Sequence, residues 1–391
     1  MTAIAQAALP PATADLVRSA EVPAFRPDAA RLLAERLGPG PFALVLLFLS
    51  PETDGQRLRA GLAQAMPGVR IVGCTTAGEL SSKGYDEGTI VAVGLPAAHF
   101  AAETVLIPDL AALDAQDLAT GLVRTRQALA RRARGFVHEF AFLLVDGLSV
   151  KEDELAAALA QGLGPVPLFG GSAGDGTRFR ETLVLQGGQF LSNAAVLSLV
   201  RTDCPVRVFN LDHLVPTERR MVVTEADPRR RIVRRINAEP AAREYARILG
   251  KDPEQLTPFT FAAHPLVVRV GGRHHVRAIQ QVAENGDLVF FAAIDEGLVL
   301  TVAEPSDMAE HLAGELAALC EDGPPAAILG CDCILRRLEA EQKQMSGKLS
   351  ELFRRFNVRG FSTYGEQRGA MHVNQTFTGI AFYPPGGEGP G

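Results

Sequence analysis

Residues 73–80 read GCTTAGEL, directly after the β-branched run VRIV at 69–72, and their reading decides the fold. A strand ends there in a turn that gathers a Cys, two Thr, a Gly and a Glu. Upstream, residues 42–67 (FALVLLFLSPETDGQRLRAGLAQAMP) read as a buried strand, a loop and an amphipathic helix. Leu58, Leu62 and Ala65 recur at helical spacing on one face. The same order returns at 139–176 (EFAFLLVDGLSVKEDELAAALAQGLGPVPLFGGSAGDG) and at 326–366 (AAILGCDCILRRLEAEQKQMSGKLSELFRRFNVRGFSTYGE). Leu155, Leu159 and Leu163 form the corresponding helical stripe of the second copy. The turns align as Thr76-Ala77-Gly78-Glu79, Ser172-Ala173-Gly174-Asp175 and Thr363-Tyr364-Gly365-Glu366: a hydroxyl, any residue, a glycine and a carboxylate. Each is followed by a further strand-like run, TIVAVGL, NAAVLSLV and TFTGIAFY.

A strand–helix–strand unit implies parallel pairing, and strands that are apolar throughout imply cover on both faces. The predicted fold class is therefore α/β: two domains built from repeated strand–helix–strand units with mixed, largely parallel sheets. In such sheets, ligands collect at the carboxyl ends of strands, where the three turns and the loops SPETDG, DGLSVKED and GCDCILRR fall. As ordinary tight turns, they need glycine for its backbone freedom and the hydroxyl and acid for local hydrogen bonds. As a site, they supply three acids. Both readings stay open at this stage. The texture changes after Cys204-Pro205 to alternating strands, a helix starting near Glu239, and a β-rich stretch with Gly-Gly and Asn-Gly turns. The expected division is 26–204 and 205–384, with a further helix from Asp307 to Leu319.

Composition narrows the function. The 391 residues carry a net charge of −6, which argues against a general nucleic-acid or membrane-surface binder. Five scattered cysteines do not form a disulfide framework. The first residues lack the pattern of a secretory signal, and the longest apolar run is too short to span a bilayer. The expectation is a cytoplasmic protein with no membrane insertion. GGSAGDG matches neither the G-x-S-x-G elbow of hydrolases nor the phosphate-binding P-loop. The function expected is binding rather than turnover, so no enzyme.

VGCTTAGEL, LFGGSAGDG, RRIVRRINAEPAAREYARILG and GFSTYGEQ with HVNQTFTG together resemble the FIST family, N- and C-terminal domains in tandem, over residues 26–383. The resemblance implies a sensory protein, a ligand-binding input module of bacterial signal transduction such as two-component systems. No output domain is read in the chain. It would thus act as a free-standing sensor on a separate partner such as a histidine kinase or a diguanylate cyclase or phosphodiesterase. One subgroup of the family comprises nitric-oxide-sensing haem proteins, and DHLVPTERRMVVTEAD at 212–227 resembles it.

The candidate ligand-binding residues are Thr76, Glu79, Ser172, Asp175, Arg336, Thr363, Tyr364, Glu366 and Asn374. Haem b, if carried, is held non-covalently, because no C-x-x-C-H is present. Its candidate iron ligands are His213, beside Asp212, then His372 and His264. Three carboxylates instead suit the amino group of a small amino-acid-like metabolite. The basic run Arg229–Arg235 is expected to be a solvated or partner-facing strand.

Overall fold

The structure is a computed structural model; it describes residues 16–386 apart from 271 and 322. Three units share one plan. In the first, the parallel strands Phe42–Leu49 and Ile71–Thr75 flank the helix Gly55–Ala65. In the second, His138–Val145 and Leu168–Ser172 flank Glu152–Leu163. In the third, Ala327–Cys333 and Val358–Thr363 flank two helices, Ile334–Gln342 and Ser346–Arg355. A last strand returns antiparallel beside each opening strand: Thr89–Pro96, Ala195–Thr202 and Phe377–Phe382.

The unbroken apolar runs follow from two different burials. Leu44, Leu46 and Phe48 meet Phe140, Phe142, Leu144, Leu329, Cys331 and Phe361 in one central core shared by three sheets. Their alternate neighbours Val45, Leu47 and Leu49 pack instead under Leu33, Leu58 and Leu62 of the helices. Ala141, Leu143 and Val145 do the same under Leu155 and Leu159. Both faces of these strands are dry, which keeps residues 44–49 and 140–145 apolar throughout. The second strand of each unit also approaches the first too closely for a side chain. A β-carbon at Gly73, Gly170 or Gly360 would collide with the carbonyl oxygen of Leu47, Leu143 or Gly330, respectively.

Each unit also lends its neighbours chain. The hairpin Glu79–Ser81/Gly84–Asp86 of the first unit joins the sheet of the third, with Leu80 opposite Gly360. The second unit's Val184–Gln186/Gln189–Leu191 joins the first, with Val184 opposite Cys74. Glu366–Arg368/Met371–Val373 of the third joins the second, with Glu366 opposite Gly171. The exchange is cyclic and closes the three sheets on each other. Two further strands cross over: Phe100–Ile107 edges the second sheet, and Val206–Leu211 edges the third.

The sheets are mixed, but the expectation of largely parallel pairing is corrected. Parallel ladders are confined to the one helix-bridged pair in each unit. The other ladders among the described residues are antiparallel, both in the short hairpins and between strands far apart in sequence, such as Phe100–Ile107 with Ala195–Thr202 and Val206–Leu211 with Phe377–Phe382.

Between the second and third units, the strands from Leu214 to Pro305 form a separate antiparallel sheet of eight strands. It carries the helix Ala241–Leu249, stopped by Gly250 in the left-handed conformation, and the short helix Pro258–Ala263. The helix Met308–Ala318 then leads back, its first amides capped by Asp307. Among the described residues, no helix is long and apolar enough to cross a membrane.

Candidate functional site

The three turns meet at the centre of the molecule and hold one another. Ala77 N–H donates to the Ser362 carbonyl at 2.9 Å, and Ser362 N–H to the Gly78 carbonyl at 2.7 Å. Gly174 N–H donates to Thr75 O at 3.0 Å, and Ser172 N–H to Gly365 O at 2.8 Å. Acids at strand ends were expected to face a cleft; Glu366 is fully buried, and Glu79, equally buried, lies in the wall of an open cavity. Thr76 and Thr363 each donate a hydroxyl hydrogen bond to the carboxylate three residues on. The other Glu79 oxygen accepts from Thr89 N–H at 3.2 Å. The other Glu366 oxygen accepts from Thr376 N–H at 3.3 Å and from its hydroxyl at 2.7 Å. Both acids thus latch the turn to the start of the returning strand. Burial pushes Glu79 up to about 7 and Glu366 up to about 8, against the hydrogen bonds that favour their charged forms.

The second turn is built differently. Asp175 accepts from the backbone N–H groups of Phe179, Arg180 and Glu181 at 2.8, 2.9 and 3.1 Å, and from the Tyr364 hydroxyl. Burial opposes its charge, but these hydrogen bonds prevail and hold its pKa below the usual range. Ser172 Oγ accepts from Gln367 Nε2 at 2.9 Å.

Arg336 is also internal. Its guanidinium donates to Asp332 at 2.7 Å and to His213 Nδ1 at 2.9 Å, and Tyr85 closes on Asp332 at 2.5 Å. The adjacent Arg337 points elsewhere, into an open cavity of about 340 Å³ lined by Ser50, Thr76, Glu79, Arg178 and Glu341. It donates there to Glu87 at 2.8 Å and Glu341 at 3.2 Å.

The three histidines occupy different surroundings. His213 is buried with both ring nitrogens engaged, Nδ1 by Arg336 and Nε2 by Glu339 at 3.1 Å. Burial lowers its pKa despite that carboxylate. His264 ends the helix Pro258–Ala263, with Nδ1 buried and unpartnered. His372 is buried against Gly365, so tightly that a β-carbon there would strike the ring. Burial holds it neutral, and Nδ1 faces Gln367 Nε2 at 3.2 Å while Nε2 has no partner.

His372 is one of a set. Gln367 Oε1, His372 Nε2, Asn374 Oδ1 and Gln375 Oε1 are all buried and unpartnered, within one hairpin and its return loop. A buried polar atom without a hydrogen bond costs roughly 1–3 kcal/mol, so four in nine residues of chain call for a partner. The loop lies against the short helix Pro258–Ala263 of the inserted segment: Gln375 Nε2 donates to Ala262 O at 2.9 Å. Beside it, Tyr364 stacks on Phe179 at 4.5 Å and neighbours Phe291 at 6.4 Å. Of this set, the sequence reading names Asn374, His372 and Tyr364 and misses Gln367 and Gln375. The amide-rich run NQ at 374–375 beside His372 was the available signal.

The chain is thus a three-unit α/β core with an inserted sheet, and four buried polar atoms without partners lie within one hairpin and its return loop. Residues 43–239 match the model of the FIST N domain and residues 241–368 that of the FIST C domain, so the chain belongs to the FIST family. FIST domains are associated with sensing in signal transduction and are sensory rather than catalytic. No curated protein matches the chain.

Proposed function

We propose that this protein is a sensor of a small amino-acid-like metabolite, bound where the third unit's hairpin meets the inserted sheet. The observation that carries this reading is the set of four buried, unpartnered atoms on Gln367, His372, Asn374 and Gln375. His372 Nδ1 accepts from Gln367, which leaves the hydrogen on Nε2 as a free donor. Three amide oxygens offer acceptors for the three N–H groups of an ammonium, and the imidazole N–H a donor for a carboxylate. Tyr364, Phe179 and Phe291 offer ring faces to a side chain. A ligand that engages both the hairpin and the inserted sheet favours the arrangement in which they are closest, which is what a population shift requires. The signal then passes to a separate signalling protein, such as a histidine kinase or a cyclic-di-GMP enzyme.

Calorimetric titration with a panel of free amino acids tests the reading. Binding is expected for compounds with both ammonium and carboxylate, and not for the matching 2-keto acids. Equal binding of both, or of neither, contradicts it.

A second reading, haem with nitric oxide as its ligand, rests on His372 Nε2, a buried imidazole nitrogen with no partner, and requires the other ring tautomer, with the hydrogen on Nδ1 and the Gln367 amide turned to accept it. His213 is less suited, because both of its nitrogens are engaged. None of the three histidines lines the cavities of about 340, 310 and 230 Å³. A Soret band in purified protein that disappears in His372→Ala would favour haem; colourless protein after reconstitution with haem would remove it.

A further inference from the structure

We propose that His99, Asp203 and Cys204 form a zinc site on the far side of the second sheet from the ligand-binding hairpin. The register of that sheet creates the site. Strands Phe100–Ile107 and Ala195–Thr202 run antiparallel, with Phe100 opposite Thr202. The next rung sets His99 across from Asp203, and His99 Nδ1 lies 3.2 Å from both carboxylate oxygens. Cys204 N–H donates to Thr202 Oγ1 at 3.0 Å, which turns the chain back and brings Cys204 Sγ to 3.3 Å from Asp203 Oδ1. The three ligand atoms lie within 4.8 Å of one another.

A bare cross-strand pair of His and Asp would be an ordinary surface contact. The buried thiol brought under it makes a donor set of nitrogen, oxygen and sulfur. Zinc bonds of about 2.0–2.3 Å in a tetrahedron place ligand atoms about 3.3–3.6 Å apart, close to the His99–Asp203 and Cys204–Asp203 separations found here. Imidazole with thiolate selects zinc over magnesium or calcium, which prefer oxygen alone. His99 and Asp203 side chains are 34% and 32% exposed, so an ion can reach the site from solvent, while Cys204 is fully buried beneath them. On binding, the thiol gives its proton to solvent and coordinates as thiolate, and a water completes the fourth position. Both strands cross between units at this point: Phe100–Ile107 leaves the first, and Val206–Leu211, just beyond Cys204, leaves the second. The ion would tie the two crossings together.

The test is zinc content after dialysis of the full chain against zinc and then metal-free buffer, with cobalt(II) as a spectroscopic substitute. The expected result is one zinc per chain and a thiolate-to-cobalt charge-transfer band. Cys204→Ser abolishes the band and, like His99→Gln, weakens zinc binding at least tenfold. Cys320→Ser, at the one partly exposed thiol among the described residues, changes neither. Zinc at the buffer baseline in the wild type overturns the proposal, and so does a cobalt band that survives Cys204→Ser. The partly exposed His99→Gln variant keeps the test valid if Cys204→Ser does not fold.

Discussion

Residues 363–366 and 367–375 are neighbours along the chain, and Thr363, Glu366, Gln367, His372, Asn374 and Gln375 are all buried, yet the two stretches differ in how their polar groups are answered. In the first stretch, Thr363 and Thr376 close on Glu366, and the first unit repeats the device with Thr76, Thr89 and Glu79. In the second, Gln367, His372, Asn374 and Gln375 each keep an atom with nothing to bond. The closed stretch recurs because it latches a returning strand, a need that two units share. Among the described residues, the second unit's exchanged hairpin carries one such unpartnered atom, Gln186 Oε1, against four here. Recurrence here marks architecture, and the proposed ligand site falls where the pattern departs from it.

The closed side should break hardest where its charges are most deeply buried. Arg336→Ala leaves Asp332 and His213 without their shared partner, and removing one member of a buried pair costs about 3–5 kcal/mol. Urea unfolding of the purified variant measures it. A loss under 1 kcal/mol would mean that this network contributes little to holding the first and third units together.

The latches should also show in pH dependence. Glu366 is raised in the folded chain, so the fold holds its proton more tightly than the unfolded chain does. Its contribution to stability is complete below the usual carboxylate range and is lost as pH rises through about 8. Glu366→Gln removes that titration, so its stability should fall less steeply than that of the wild type from pH 5 to pH 8.5. Parallel curves would contradict the buried, proton-holding latch. Asp175, with its pKa lowered, has the opposite sign and loses its contribution as pH falls.

The smallest effect belongs to the basic run. Arg231, expected with the others on a solvated or partner-facing strand, turns inward in a left-handed conformation and pairs with Glu152 at 2.5 Å. Arg235 stays outside, 53% exposed and 3.3 Å from Glu225. Arg235→Ala should change stability by less than about 1 kcal/mol. A larger loss in thermal unfolding would show that this strand does more than face solvent or a partner.

The three units were legible because burial on both faces forces apolar strands between amphipathic helices. That signal survives in FALVLLFL and its two counterparts. The hairpin exchange was not legible. Strands such as Glu79–Ser81 and Glu366–Arg368 are three residues long, and nothing in so short a run names the sheet it will join. Arg336 and Arg337 show a similar limit: adjacent helical residues point about 100° apart, and only the packing of that helix decides which one faces the cavity. The carboxylates of the turns were found by their pattern, but their burial depends on the exchange. Asn374 and His372 could be named as polar groups near a strand end, whereas Gln367 and Gln375 look like ordinary exposed amides until the second unit's helix Glu152–Leu163 and the inserted helix Pro258–Ala263 pack over this hairpin and its loop.

Asn374→Leu offers the most direct measurement, because the two side chains have similar shape and Asn374 makes only a marginal 3.5 Å contact with the Tyr364 carbonyl. If its Oδ1 is kept open for a ligand, the substitution removes an unanswered polar atom. The ligand-free variant should then be as stable as the wild type or up to about 1–3 kcal/mol more stable. In the same preparation, the amino acid that binds the wild type should no longer raise the melting temperature. A variant that is clearly less stable, yet still shifted by that amino acid, would place Asn374 among the structural residues and contradict the ligand site.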